Sequence, residues 1–238
     1  MHVYCINLER RQDRRGRVAQ EFEREDIGPI EFFPATDGRV EAPKGIYISP
    51  AEYGCASSHV RIWRDIVTQG YEQALVFEDD VTLLHNFKTK LQTILSEATR
   101  VPEWDMIFLG HITPIYRSMV SENLVEAQPL GTHSYLINLE CARKLCNFDP
   151  KFMKVGIDFQ LNRFPLKILC TRELITSQGD MASEMGFLSL KSMVDGDIGL
   201  ERTMDFGFVV RLGMQHLKIF IVLAVALLVL KLTQSSRA

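Results

Sequence analysis

Three consecutive acids, Glu78, Asp79 and Asp80, close the apolar run ALVFEDDV at residues 74–81, where their mutual repulsion is costly. In an extended strand, side chains two apart share a face, so Glu78 and Asp80 project together while Asp79 points away. Two carboxylates on one face are a ligand pair for a hard divalent cation, which takes oxygen ligands and bridges phosphate oxygens. The same triplet would serve equally as a solvated loop that caps a following helix, and the spacing is compatible with either use.

The elements that must hold these acids alternate between strand and helix patterns. Val3–Leu8 reads as a strand, Asp13–Arg24 as an Arg/Glu-rich helix, and IEFFPA at 30–35 as a short extended piece. The next helix has a well-marked start: Ser49 as N-cap, Pro50 at the first helical position, and Glu52 completing a capping box. Gly70 is expected to stop it, and Ala56, Val60, Trp63 and Val67 form its buried stripe, with Arg61, Arg64 and Asp65 left in water. After the acids come an amphipathic helix over 87–98 and the apolar strand WDMIFLG, closed by Gly110. Residues 111–130 read as loop and irregular strand; SYLINL is a strand, ECARKLCNF a helix, and DFQLNRF a short helical piece. From Ser177 to Val194 no period is visible, which predicts a segment near the site or a linker. The alternation predicts an α/β fold with parallel pairing, in which ligands gather outside the carboxyl ends of the strands.

Composition narrows the function classes. The chain has 238 residues, 27 basic against 30 acidic, and a net charge of −3, so there is no overall basic field for nucleic acid. Its five cysteines are odd in number and lack paired zinc spacing, which predicts reduced thiols rather than a disulfide framework or a structural zinc. The start HVYCINL has no signal-peptide pattern, and the active part is expected to face the cytosol. Near the C-terminus, Ile219–Leu230 is a run of twelve apolar residues between Lys218 and Lys231. At about 1.5 Å per residue it covers roughly 18 Å, short of the ~30 Å of a bilayer core. With the flanking lysines snorkelling, residues 213–238 read as a hydrophobic helical tail that attaches residues 1–212 to the cytoplasmic face of a membrane; a core helix is the other reading.

Several blocks in order, VYCINLERRQDRR, FFPATDGR, SPAEYGCASSHVRIW, ALVFEDDV, WDMIFLG and GTHSYLINLECARKL, resemble glycosyltransferase family 25, the lipooligosaccharide and procollagen galactosyltransferase family. The resemblance covers roughly residues 3–160. It implies a GT-A-like (Rossmann-related) mixed sheet flanked by helices and an inverting transfer of a hexose, above all galactose from UDP-galactose, to a glycan acceptor such as a lipid-linked core oligosaccharide. The acids would then hold Mn²⁺ or Mg²⁺, with Asp80 as ligand and Glu78 or Asp79 assisting, to neutralise the growing charge on UDP.

The resemblance further implies that Asn7 and Arg10 or Arg14 contact uridine and diphosphate; a basic helix face in water is the alternative, and it is the reading for Arg11, Arg15 and Arg17. Asp37 would bind ribose or base, or simply form the turn with Gly38. His59 would line the donor pocket or pack as a core histidine, and Gly131, Thr132 and His133 form a small turn that lets the sugar approach. For the base that deprotonates the acceptor hydroxyl, the resemblance points to Asp158, with Asp180 in reserve. Two other function classes fit the acids: a metal-dependent phosphohydrolase and a non-catalytic, membrane-tethered nucleotide-sugar binder.

Overall fold

The computed structural model describes residues 1–179; Asp180 and the tail over 213–238 lie outside the described residues. In chain order the elements are β1 (His2–Asn7), α1 (Gln12–Arg24), β2 (Glu31–Pro34), α2 (Gly38–Glu41), α3 (Pro50–Gln69), β3 (Gln73–Glu78), β4 (Val81–Leu83) and α4 (Phe87–Ala98). They continue with β5 (Met106–Phe108), β6 (Ile112–Met119), β7 (Leu124–Leu130), β8 (Ser134–Asn138), α5 (Leu139–Leu145), a 3-10 turn (Pro150–Phe152), α6 (Ile157–Leu161), β9 (Ile168–Thr171) and β10 (Thr176–Gln178). Among the described residues no helix is long and apolar enough to cross a membrane.

The main sheet is mixed α/β, with strand order β2-β1-β3-β8-β5-β9-β7-β6; β4 pairs separately with β10. β1 runs parallel to β2 and β3, while β8 runs against both β3 and β5, so the first parallel trio continues through one reversed strand. Strand residues alternate between two cores. Tyr4, Ile6, Val76, Met106 and Tyr135 pack against α3, α5 and α6; Val3, Cys5, Leu75, Phe77 and Leu136 pack against α1 and α4. Helices on both faces explain why ALVF and MIFL are apolar without alternation: each side chain is buried whichever way it points.

α3 carries both halves of its capping box: Ser49 Oγ accepts from the Glu52 N–H at 3.2 Å, and Glu52 Oε2 accepts from the Ser49 N–H at 2.8 Å. Gly70, at φ +70°, ends it. α2 lies directly on the first turns of α3. A Cβ on Gly38 would overlap the Pro50 carbonyl, and one on Gly54 would stand 2.7 Å from the Thr36 oxygen. Both obstacles are backbone, which cannot rotate away. Gly38→Ala is therefore expected to destabilise the fold by about 3 kcal/mol, the upper part of the overpacking range, read as a lower urea midpoint at unchanged slope.

Two sequence expectations need refinement, and one strand, β9, had no expectation at all. Residues 111–130, expected as loop and irregular strand, form the β6–β7 hairpin with little loop; its strands are irregular, with register shifts after Ile112 and Tyr116, and Pro114 is tolerated because β6 is the sheet edge. β9 carries only ILCT, too short a run to stand out between Pro165 and Arg172. β10 takes Ser177 and Gln178 out of the segment read as periodless.

Candidate active site

The carboxyl ends of β1 and β3, the start of the antiparallel β8 and the exit of β2 all meet at one edge of the sheet. That edge carries Asn7, Asp37, Glu78 and the Gly131–His133 turn; the Glu78 N–H donates to the His133 carbonyl at 3.0 Å. Against it lies a cleft of about 320 Å³ lined by Arg10, Arg14, Asp37, His59 and the three acids, among others. Such a volume is at the small end for a ligand site.

β3 ends at Glu78, so Asp79 and Asp80 occupy the turn before β4 rather than the strand itself. Each of the three finds different partners, and the repulsion on Asp80 is only partly offset. Asp79 is buried and fully engaged: Oδ2 accepts from Asn7 Nδ2 at 2.8 Å, Oδ1 from Arg14 Nη1 at 2.7 Å, and the backbone oxygen from Arg17 Nη2 at 3.2 Å. Asn7 and Arg14 thus meet the acid triplet directly, and Arg17 is not left in water. Arg10 pairs with Asp37, which also caps α2 by accepting from the Arg39 N–H at 3.1 Å. Arg11 pairs with Asp13, and Arg15 stacks over the Phe32 ring.

Asp80 is treated differently. Its Oδ2 accepts from Gln178 Nε2 at 3.3 Å and stands 3.6 Å from Arg14, but its Oδ1 is buried with no hydrogen-bond partner among the described residues. Burial and the neighbouring Glu78 charge raise the Asp80 pKa above the ordinary carboxylate value. An unpartnered buried oxygen costs about 1–3 kcal/mol. A hard divalent cation would take that oxygen as ligand and remove the repulsion, so the oxygen set of Asp80 and Glu78 fits Mn²⁺ or Mg²⁺. Asp79, with both carboxylate oxygens occupied, serves as the anchor of the turn.

Glu78 is oriented by a chain of donors. The Trp63 indole N–H donates to the Tyr135 hydroxyl at 3.1 Å, that hydroxyl lies 2.8 Å from His59 Nδ1, and His59 Nε2 lies 3.3 Å from Glu78 Oε1. The Trp63 bond leaves the tyrosine proton for Nδ1, so neutral His59 carries its own proton on Nε2, toward the carboxylate. Thr132 Oγ1 donates to the same oxygen at 2.7 Å. Burial pushes the Glu78 pKa up, but the His59 and Thr132 bonds outweigh it and hold Glu78 below its ordinary value. The two neighbouring acids are thus shifted in opposite directions, Glu78 down and Asp80 up.

The Gly131–His133 turn links this centre to Asp158. Gly131, at φ +85°, donates its N–H to Asp158 Oδ2 at 3.1 Å, while Oδ1 accepts from the Phe159 N–H at 2.8 Å. Burial raises the Asp158 pKa; the two backbone bonds oppose the shift and the Glu78 charge adds to it. His133 is buried, and neither ring nitrogen has a hydrogen-bond partner among the described residues. Burial lowers its pKa from 6.5 to about 4, with Glu78 pulling it up and His111 pushing it down. As pH falls, the unfolded chain binds this proton first. Stability is therefore expected to fall between pH 6.5 and about 4, in a window that nuclear magnetic resonance titration of the His133 ring and pH-dependent urea unfolding would locate.

The model of Glycosyltransferase family 25 (LPS biosynthesis protein) matches residues 1–160. The chain belongs to this family. A glycosyltransferase 25 family member of Aedes aegypti is 34% identical over 181 residues, covering 66% of this chain and 30% of that protein. Procollagen galactosyltransferase 2 of Mus musculus is 32% identical over 186 residues, 66% of this chain and 29% of that protein. A Bos taurus protein named probable inactive glycosyltransferase 25 family member 3 is 33% identical over 183 residues, again 66% of this chain and 30% of that one. The chain spans about 30% of the length of the curated relatives it matches. Of the predicted site residues of this family 25 chain, Asn7 through Asp158 lie within the matched region and Asp180 lies outside it.

Sequence reasoning missed Tyr135 and Trp63, which orient His59, and Gln178, which reaches Asp80. It also passed over Cys55, which lines the cleft. For Cys55 a local signal exists, because it stands one helical turn before His59 on α3. Trp63 carries the same signal, one turn after His59; for Tyr135 and Gln178 no local pattern exists.

Proposed function

We propose that this family 25 chain is a hexosyltransferase that moves galactose from UDP-galactose, with inversion at the sugar carbon, onto a glycan acceptor. The observation that carries this reading is the buried, unpartnered Asp80 oxygen in a cleft that Arg10 and Arg14 also line, with Arg14 3.6 Å from the other Asp80 oxygen. An acid that needs a cation beside guanidinium groups that match phosphate oxygens suits a nucleoside diphosphate better than a neutral ligand. When bound at Asp80 and Glu78, Mn²⁺ or Mg²⁺ would supply charge neutralisation for the departing UDP. Arg14 and Arg10 bind and orient the diphosphate, the Trp63–Tyr135–His59 chain holds Glu78, and Asp158 takes the acceptor proton. The GT-A class, the use of a lipid-linked acceptor and attachment of residues 213–238 to the cytoplasmic face of a membrane belong to the same proposal; support for attachment is the apolar run Ile219–Leu230 between two lysines.

Incubating the purified chain with a panel of UDP-sugars and Mn²⁺ or Mg²⁺ is expected to give metal-dependent UDP release with UDP-galactose. Tight UDP-sugar binding with no turnover on any acceptor would favour the non-catalytic binder, and UDP-independent phosphate release the phosphohydrolase. Arg14→Ala is expected to weaken UDP binding about tenfold, or ~1.4 kcal/mol. Unlike a solvated arginine it also leaves the buried Asp79 without its partner, for a further stability loss of about 1–3 kcal/mol. Calorimetric titration with unchanged UDP affinity would reduce Arg14 to a structural partner of Asp79.

A further inference from the structure

We propose that Cys55, His59 and Glu78 form a second cation site in the same cleft, one that takes a thiophilic ion of the zinc class. Cys55 and His59 lie one turn apart on α3, and Glu78 meets them from the end of β3. One ligand atom from each of the three falls within 4.8 Å of the other two. With bonds of about 2.0–2.2 Å, a nitrogen and an oxygen on a tetrahedral zinc stand about 3.4 Å apart. His59 Nε2 and Glu78 Oε1 are already 3.3 Å apart. For sulfur and nitrogen the corresponding edge is about 3.5 Å. The Cys55 thiol therefore has to close by at most about 1.3 Å, within reach of a small rotation of an unbranched side chain.

The groups behind these ligands suit a metal site. Tyr135 holds His59 through Nδ1 and directs Nε2 toward the cleft, and Thr132 fixes Glu78 from the other side. Such outer partners orient ligands and set their basicity. All three ligands line the cleft, which leaves the fourth position open to it. On binding, the Cys55 proton leaves to solvent. For His59 to ligate through Nε2 its proton must sit on Nδ1, so the Tyr135 hydroxyl rotates its own proton away from Nδ1 and accepts there instead, while still accepting from the Trp63 N–H.

The donor set separates this site from that of Asp80. Sulfur and imidazole select zinc-class ions, whereas an all-carboxylate set selects Mn²⁺ or Mg²⁺. Because Glu78 is common to both, a thiophilic ion would draw it away from Asp80. That last consequence, inhibition by zinc, rests on the transferase reading; binding itself does not.

The test uses the full chain with no sugar nucleotide present, so its result does not depend on transferase activity. Zn²⁺ is titrated against a chromophoric chelator, and Co²⁺ is then substituted. The expected results are a tight zinc site and a cobalt complex with thiolate-to-metal charge-transfer absorption. Cys55→Ser should lose that band and weaken zinc by about 100-fold or more, since even loss of an outer partner costs 10–100-fold. Cys146→Ser, at the other partly exposed thiol, should change neither. A measurement on the unaltered chain guards against misfolding of the variants: Zn²⁺ should protect Cys55 from alkylation, read by peptide mass spectrometry. Zinc affinity equal in the unaltered chain and Cys55→Ser, a cobalt spectrum without the thiolate band, or alkylation of Cys55 at the same rate with and without zinc would each overturn the proposal.

Discussion

Asp158→Asn is expected to lower turnover by about 10² to 10⁴-fold, the usual size of a general-base contribution, with UDP-sugar affinity near that of the unaltered chain. The substitution keeps the volume but leaves a single oxygen for the Gly131 and Phe159 N–H groups, since an amide nitrogen cannot accept, so one of the two bonds is lost and a modest drop in melting temperature should accompany the loss of turnover. What is lost is a carboxylate whose pKa burial has raised, which brings its basicity closer to working pH than an exposed Asp would allow. The acidic limb of the pH profile of kcat/KM should therefore lie above the ordinary carboxylate range and vanish in the variant. Loss of UDP-sugar binding in place of turnover would make Asp158 a donor ligand. The role of base would then pass to Asp180, outside the described residues.

Asp80→Asn carries the other large effect. Turnover should fall about 10³-fold or more, because neutralisation of leaving-group charge by a divalent ion is worth several kcal/mol, and each ~1.36 kcal/mol is tenfold. Stability should move the opposite way. Without a cation, the ionised Asp80 faces Glu78 with one oxygen unpartnered, and an amide removes that repulsion. The variant is therefore expected to melt at or above the temperature of the metal-free unaltered chain. Mn²⁺ should raise the melting temperature of the unaltered chain by mass action and leave the variant unmoved. Full turnover with unchanged metal dependence in Asp80→Asn would end the assignment of Asp80 as a ligand.

Much of the frame follows from local pattern. The capping box at Ser49 and Glu52 and the stop at Gly70 bound α3 as expected, because caps and left-handed glycines satisfy backbone groups within a few residues. The stripe of Ala56, Val60 and Trp63 is buried as its 3.6-residue period requires, with Val67 partly so. The apolar runs around Val76 and Ile107 became strands covered on both faces. The regular pairing of the β6–β7 hairpin was not legible because Pro114 in the edge strand and a shifted register erase the two-residue period that would mark it.

The acid triplet, the block order and the family resemblance were all legible before any fold was known. Which acid does what was not. Asp79 is committed by Arg14 and Asn7, 65 and 72 positions away, and Glu78 by a chain that begins at Trp63 and passes through Tyr135, 72 positions apart. Nothing in residues 74–84 distinguishes an anchored carboxylate from one with a bare oxygen. The sequence by itself determined the elements from β1 to β5 that frame the site, the residue types and the edge of the sheet where they would gather, because periodicity, caps and turn chemistry act over a few residues. Only the tertiary structure decided the pairing of charges, the placement of Cys55 beside His59 and Glu78, and the hold of Gly131 on Asp158, because these depend on chain crossings that bring distant residues within hydrogen-bond range.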